Sequence, residues 1–121
     1  MSSIYFLSPL HMFKKDIDYA HLISSGREQY GENKYEDSIE DFNQSIDRIP
    51  TIELNPFSFL SYKYRGSAKF QLKDYQGAID DFTKAIKINP DNAVAYYERS
   101  YANHYFGDYE GAILDLSLIH I

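Results

Sequence analysis

The stretch YKYRGSAKFQLKDYQGAIDD, residues 62–81, returns 34 residues later as YYERSYANHYFGDYEGAILD, residues 96–115. Tyr62 recurs as Tyr96, Arg65 as Arg99 and Ala68 as Ala102. Asp74-Tyr75 becomes Asp108-Tyr109, Gly77-Ala78-Ile79 becomes Gly111-Ala112-Ile113, and Asp81 answers to Asp115. A fainter copy lies upstream, where Gly26, Tyr35, Ile39, Asp41 and Phe42 correspond to Gly66, Tyr75, Ile79, Asp81 and Phe82. A fixed period of this kind outranks any local signal, because each unit buries its apolar face chiefly against its neighbours. Stacked units present an extended surface, so the repeat points to binding before chemistry.

Within a unit the periodicity is helical. Tyr75, Ala78, Ile79, Phe82, Ala85 and Ile86 recur at three- and four-residue spacing and mark one apolar stripe. Asp74 is the expected N-cap of this helix and Asn89-Pro90 its stop. Asp91 or Asn92 then caps the next helix, and Gly107-Asp108 ends that one and starts another. The pattern predicts helices near 18–31, 35–48, 57–72, 75–88, 93–106 and 109–119, paired as antiparallel hairpins.

These helices divide the chain. Residues 1–18 do not match the repeat, and form an irregular or capping segment with Ile4, Tyr5, Phe6, Leu7, Leu10, Met12 and Phe13. Unit one spans 19–50, unit two 59–92 and unit three 93–121. Tyr19 and Phe59 are 40 residues apart but Phe59 and Ala93 only 34, so an insertion is placed at 51–58, in a proline-interrupted link from 49 onward. Loops absorb such length cheaply. Unit three ends as Leu116-Ser-Leu-Ile-His-Ile121, without a closing turn, proline or polar capping helix, and from about Ser117 resembles translated sequencing-adapter sequence.

Composition narrows the function. A chain of 121 residues supports one modest core. A formal charge of -6 argues against nucleic acid as the partner, since that would demand a basic face. Without cysteine there are no disulfides, thiolate metal sites or thiol nucleophiles. No apolar run spans a membrane and no secretory leader opens the chain, so the expectation is a cytoplasmic protein without membrane contact. Twelve tyrosines and no tryptophan supply rings for packing and hydroxyls for recognition.

The residues resemble a known family. Unit two supplies Tyr62, Gly66, Ala78, Phe82, Ala85 and Pro90 at tetratricopeptide-repeat offsets. Unit three supplies Tyr96, Ala102, Ala112 and Leu116 with Ser100 in the glycine place, and unit one Leu22, Gly26, Ser38, Phe42, Ser45 and Pro50. The resemblance covers about residues 19–119 and implies an all-α helix-turn-helix solenoid, a right-handed superhelix of about three units. Gly26, Gly66 and Ser100 then fall where the two helices of a unit cross closely. Arg65 and Arg99 replace the usual leucine, as in a subclass with Tyr-x-x-Arg-Gly. Packed arginines need carboxylates, and Asp81 and Asp115 are the expected partners.

Family members line their concave groove with the first helix of each unit. Carried over position by position, that surface here comprises Ala20, Ile23, Arg27, Tyr30 and Gly31 in unit one. Unit two gives Leu60, Lys63, Ser67, Phe70 and Gln71, and unit three Val94, Tyr97, Tyr101, His104 and Tyr105. The third set resembles the aromatic enrichment of interaction hot spots, although Tyr105 equally suits contact with a following unit. The clamp by which some members hold a chaperone C-terminal carboxylate needs Lys, Asn and Arg where this chain has Ile23, Arg27, Tyr64, Val94 and Glu98. That clamp is absent.

No catalytic pattern competes. There is no Gly-x-Ser-x-Gly, no phosphate-cradling glycine loop and no His-Glu-x-x-His. His11, His21, His104 and His120 are scattered, and neighbouring acids such as Asp80 and Asp81 point in different directions on a helix. Neither cofactor nor metal is expected. The expected function is a noncatalytic interaction module that takes a peptide or helix of a partner protein. The alternatives are a structural segment of a longer array, a scaffold that self-associates through its open C-terminal end, and a regulatory domain of a larger protein.

Overall fold

The computed structural model describes residues 19–49 and 56–119, which form six helices and no strand. Helix α1 covers 19–31. It is followed by α2 (Tyr35–Arg48), α3 (Pro56–Gln71), α4 (Tyr75–Ile88), α5 (Ala93–Phe106) and α6 (Tyr109–Ser117). Each helix packs on its neighbours in the chain, so the hairpins α1–α2, α3–α4 and α5–α6 stack in sequence order. The expected N-terminal segment, Pro50, most of the insertion and the last two residues lie outside the described residues.

Turn chemistry sets the helix starts. Asp74, Asn92 and Asp108 each accept from a backbone amide three residues on, at 3.0, 3.0 and 2.9 Å. Lys34 holds the same place before α2 and makes no side-chain cap. The tight turn ahead of each second helix needs a left-handed residue. Asn33, Lys73 and Gly107 supply it with φ of 62°, 66° and 102°, and only glycine does so without steric cost. Helix α3 starts at Pro56, one residue ahead of the expected start near 57, because proline suits the first turn of a helix, where its missing N–H goes unused. Ser58, which falls both in the expected helix and at the end of the expected insertion, is helical and buried.

The hairpins close on glycine. A Cβ on Gly26 would stand 2.7 Å from the Phe42 ring, and one on Gly66 would stand 2.8 Å from that of Phe82. Both phenylalanines are almost fully buried. In the third hairpin the pair becomes Ser100 with Leu116, so a larger first residue accompanies a smaller second one. Between hairpins the seams are lined by small side chains. Ala95 joins Phe59, Ala85 and Ile86, and Ala102 joins Ala78 and Phe82.

Two buried carboxylates tie the stack together. Asp81 accepts from Arg65 Nε at 2.9 Å and Nη2 at 2.7 Å, while Lys69 Nζ approaches at 3.1 Å. Asp115 accepts from Arg99 Nε at 2.9 Å, from Arg99 Nη2 at 2.5 Å and from Asn103 at 2.9 Å. The expected Arg–Asp pairs both form. Each arginine also reaches back to the preceding hairpin, Arg65 Nη1 to Asn43 at 2.8 Å and Arg99 Nη1 to Thr83 at 3.2 Å. One planar guanidinium thus joins a unit internally and to its predecessor, a geometry lysine lacks. In the first hairpin Ser25 bonds Asp41 at the corresponding place, at 2.7 Å.

Candidate binding groove

The first helices α1, α3 and α5 share one side of the stack, and the spacing that aligns them there brings three sets of side chains together. Between them opens a cavity of about 320 Å³ walled by Tyr30, Lys63, Ser67, Phe70, Gln71, Tyr97 and Tyr101, with Tyr64, Phe82 and Glu98 beneath and beside them. A cleft of this size with a few polar groups set in aromatic walls has the make-up of a ligand site.

Its polar floor is internally satisfied. Lys63 Nζ lies 2.8 Å from Glu98 Oε1, and Ser67 Oγ donates to Glu98 Oε2 at 2.5 Å. This bridge joins α3 to α5 and is mostly shielded from water. Gln71 donates to the Tyr30 hydroxyl at 3.4 Å, across from α1. Burial pushes the Tyr30 phenol above the ordinary tyrosine range, against the lowering effect of that hydrogen bond. Tyr97 and Tyr101 stand edge-on with ring centroids 5.0 Å apart and hydroxyls 3.1 Å apart, and this bond holds the Tyr101 phenol up as well.

Cations gather over one ring. Lys63 Nζ and the Arg27 guanidinium sit 4.7 and 5.1 Å from the Tyr64 centroid, and Phe42 stacks on the same tyrosine at 5.9 Å. Tyr64 thereby couples the groove to the core of the first hairpin.

The other expected residues divide. Ile23 is buried with 4% exposure and is not among the residues that line the cleft. Arg27 is exposed and does not line the cleft, which it meets only through its contact with the Tyr64 ring. His104 and Tyr105 lie outside the first cavity and line a second, of about 450 Å³, with Tyr109, Ile113 and Leu116. Tyr105 also packs back on Phe70 and Tyr75 at 5.6 Å from each, and His104 meets Tyr109 at 5.3 Å. Tyr97 and Tyr101 form the wall between the two cavities. Tyr64 and Glu98 are groove residues that the position-by-position transfer does not include. The signal for the Lys63–Glu98 bridge was their opposite charge on successive first helices, which becomes a contact only once the stacking angle is known.

Among the described residues no helix is long and apolar enough to cross a membrane. No three His, Asp or Glu side chains among them converge as metal ligands would.

The family models that match are both tetratricopeptide repeat, over residues 59–92 and 82–113. No curated protein sequence matches the chain significantly. Solved structures do. The TPR2B domain of yeast Sti1 in its pHsp70 complex superimposes with a TM-score of 0.76 at 22% identity, over 84% of this chain and 77% of that one. The first TPR of Spaghetti (RPAP3), bound to the Hsp90 peptide SRMEEVD, gives 0.75 at 25% identity over 84% and 75% of the two chains. The Hsp90 co-chaperone Cns1 from Saccharomyces cerevisiae gives 0.77 at 24% identity, over 84% of this chain and 32% of that one. The repeat matches, the stacked helical hairpins and these neighbours agree: the chain belongs to the tetratricopeptide-repeat family.

Proposed function

We propose that this protein is a noncatalytic interaction module that holds a peptide or helix of a partner protein in the groove formed by α1, α3 and α5. The observation that carries this reading is the open cleft itself, in which three successive first helices bring Tyr30, Phe70, Tyr97 and Tyr101 around one polar bridge. Rigid aromatic rings with hydroxyl tips give contact area and hydrogen bonds together, the make-up of interface hot spots. The neighbours bound to pHsp70 and to SRMEEVD support a peptide as the class of ligand.

The groove does not favour a carboxylate terminus held by a clamp of cations. Glu98 stands in the third unit at a clamp position and already engages Lys63 and Ser67. A carboxylate arriving there would meet a like charge whose counter-ion is occupied. A ligand that lays aromatic or aliphatic side chains over Tyr97 and Tyr101 suits the surface better.

The test is selection of the protein on an unbiased peptide-display library, with Tyr101→Ala in parallel. The expected result is an enriched motif whose affinity falls about tenfold or more in the variant, with helicity by circular dichroism unchanged. A motif bound equally by parent and folded variant places the site elsewhere, and no enrichment by the folded parent removes the peptide reading.

A further inference from the structure

The charges inside the groove are already paired, and what it leaves free is rings and hydroxyl hydrogens. Lys63 and Ser67 occupy the two oxygens of Glu98. A ligand carboxylate would have to take Lys63, and a ligand cation Glu98. Either breaks a bridge that is mostly shielded from water and strands the charge left behind. Arg27 stands outside the cleft, over Tyr64. The part of a ligand that enters the cleft is therefore neutral.

Hydrogen-bonding capacity narrows it further. The three helices bond their own backbone groups internally, so only side chains can meet a ligand's main chain. Among the described residues the Tyr30 hydroxyl accepts from Gln71 and has no acceptor for its own hydrogen. Tyr97 and Tyr101 share one hydrogen between their hydroxyls, which leaves the other to donate. Gln71 keeps a second N–H. With the Glu98 carboxylate committed, the groove serves ligand carbonyls better than ligand N–H groups. Proline is the residue that brings a carbonyl and no N–H.

Spacing selects the same chemistry. The rings come from three helices, Tyr30 from α1, Phe70 from α3, and Tyr97 and Tyr101 from α5. Gln71 with Tyr30 and Lys63 with Glu98 show that successive helices touch, and touching helices lie about 8–10 Å apart. A polyproline II segment laid across them advances about 9 Å in each three-residue turn, so every third residue meets the next helix. A β-strand repeats its side after about 7 Å and falls out of step. The C–H bonds beside proline's amide nitrogen are electron-poor and lie well on the negative face of a tyrosine ring. Tyr97 and Tyr101 offer such faces, 48% and 46% exposed. The sequence holds no such run itself, since the nearest two of its four prolines are Pro50 and Pro56.

We propose that the groove across α1, α3 and α5 accepts a proline-rich segment of a partner protein in polyproline II conformation, with prolines at three-residue spacing on its rings. Aromatic-lined grooves suit such preformed segments, which lose little entropy on binding. The inference rests on the groove being the binding site and names its ligand. The test is a capped, fluorophore-labelled oligoproline of about 12 residues, four turns long, titrated into the full chain and followed by anisotropy. Saturable binding is expected, with none by a glycine-serine peptide of equal length or by a capped alanine-rich helix. Tyr97→Ala or Tyr101→Ala should weaken it about tenfold or more. Tyr30→Phe, which removes only a hydroxyl, should weaken it about threefold, and Asp80→Ala on the exposed face of α4 should leave it unchanged. Circular dichroism verifies the helicity of each variant. Absence of binding to the folded parent overturns the proposal, as does binding that the ring variants leave untouched. The peptide-display selection separates this failure from that of the groove itself. An enriched motif without prolines, lost in Tyr101→Ala, keeps the groove and removes the proline ligand. No enriched motif and no oligoproline binding removes both.

Discussion

Replacing Asp81 by alanine tests how the stack is held. This carboxylate is 1% exposed and is engaged by Arg65 through two nitrogens, at 2.7 and 2.9 Å, and by Lys69 at 3.1 Å. Its removal leaves two cations of α3, one turn apart, without the α4 carboxylate they share. Breaking a buried pair from one side costs about 3–5 kcal/mol, because the surviving charge stays desolvated. Here the side chains of Arg65 and Lys69 keep 14% and 22% exposure, and Asn43 still accepts from Arg65, so the lower end, about 3 kcal/mol, applies. Against a whole-domain stability of about 5–15 kcal/mol this is a large fraction. Urea unfolding followed by circular dichroism should show a lower midpoint at unchanged slope. An exposed pair contributes about 0–1 kcal/mol. A loss under about 1 kcal/mol would therefore refute the claim that this aspartate works as a buried anchor. A second arm separates charge from volume: Asp81→Leu with Arg65→Met and Lys69→Met should recover most of the loss, since well-packed apolar replacements of buried charge clusters are often neutral.

Two further predictions concern the hairpins. Gly66→Ala should destabilise by about 1–3 kcal/mol through overpacking against Phe82, and Phe82→Leu should relieve part of that cost, as Ser100 with Leu116 does in the third hairpin. A double-mutant cycle of thermal midpoints checks this, and strict additivity would show that the two sites do not press on each other. Lys73→Gly should stabilise by about 1 kcal/mol by removing the left-handed strain of its turn, while Gly107→Ala should destabilise by a similar amount; denaturant midpoints that move the other way would remove the strain argument.

Much of the fold was legible because its determinants are local or periodic. A short carboxylate or amide side chain can cap a helix that starts just after it, so Asp74 and Asp108 could be placed without tertiary information, while the structure decides between Asp91 and Asn92 in favour of Asn92. The pairing of Arg65 with Asp81 and of Arg99 with Asp115 followed from charge demand at matching repeat positions. Gly26 and Gly66 announced the close crossings that Phe42 and Phe82 fill.

The candidate groove was legible only in part, because a position that faces the cleft in one unit need not do so in the next. Ile23 occupies a groove position by count, yet it is buried and does not line the cleft. Tyr64 and Glu98 enter the site through cross-helix contacts with Arg27, Lys63 and Ser67, which depend on how far one hairpin is rotated on the next. Tyr105 has the spacing of a groove residue but spends one face of its ring on Phe70 and Tyr75. The sequence by itself determined the helices, their caps, the hairpin pairing and the repeating Arg–Asp anchors, since each rests on interactions within one period of the chain. Only the tertiary structure decided which of the aligned side chains share a cleft, because that depends on the angle between hairpins, a quantity that no single period encodes.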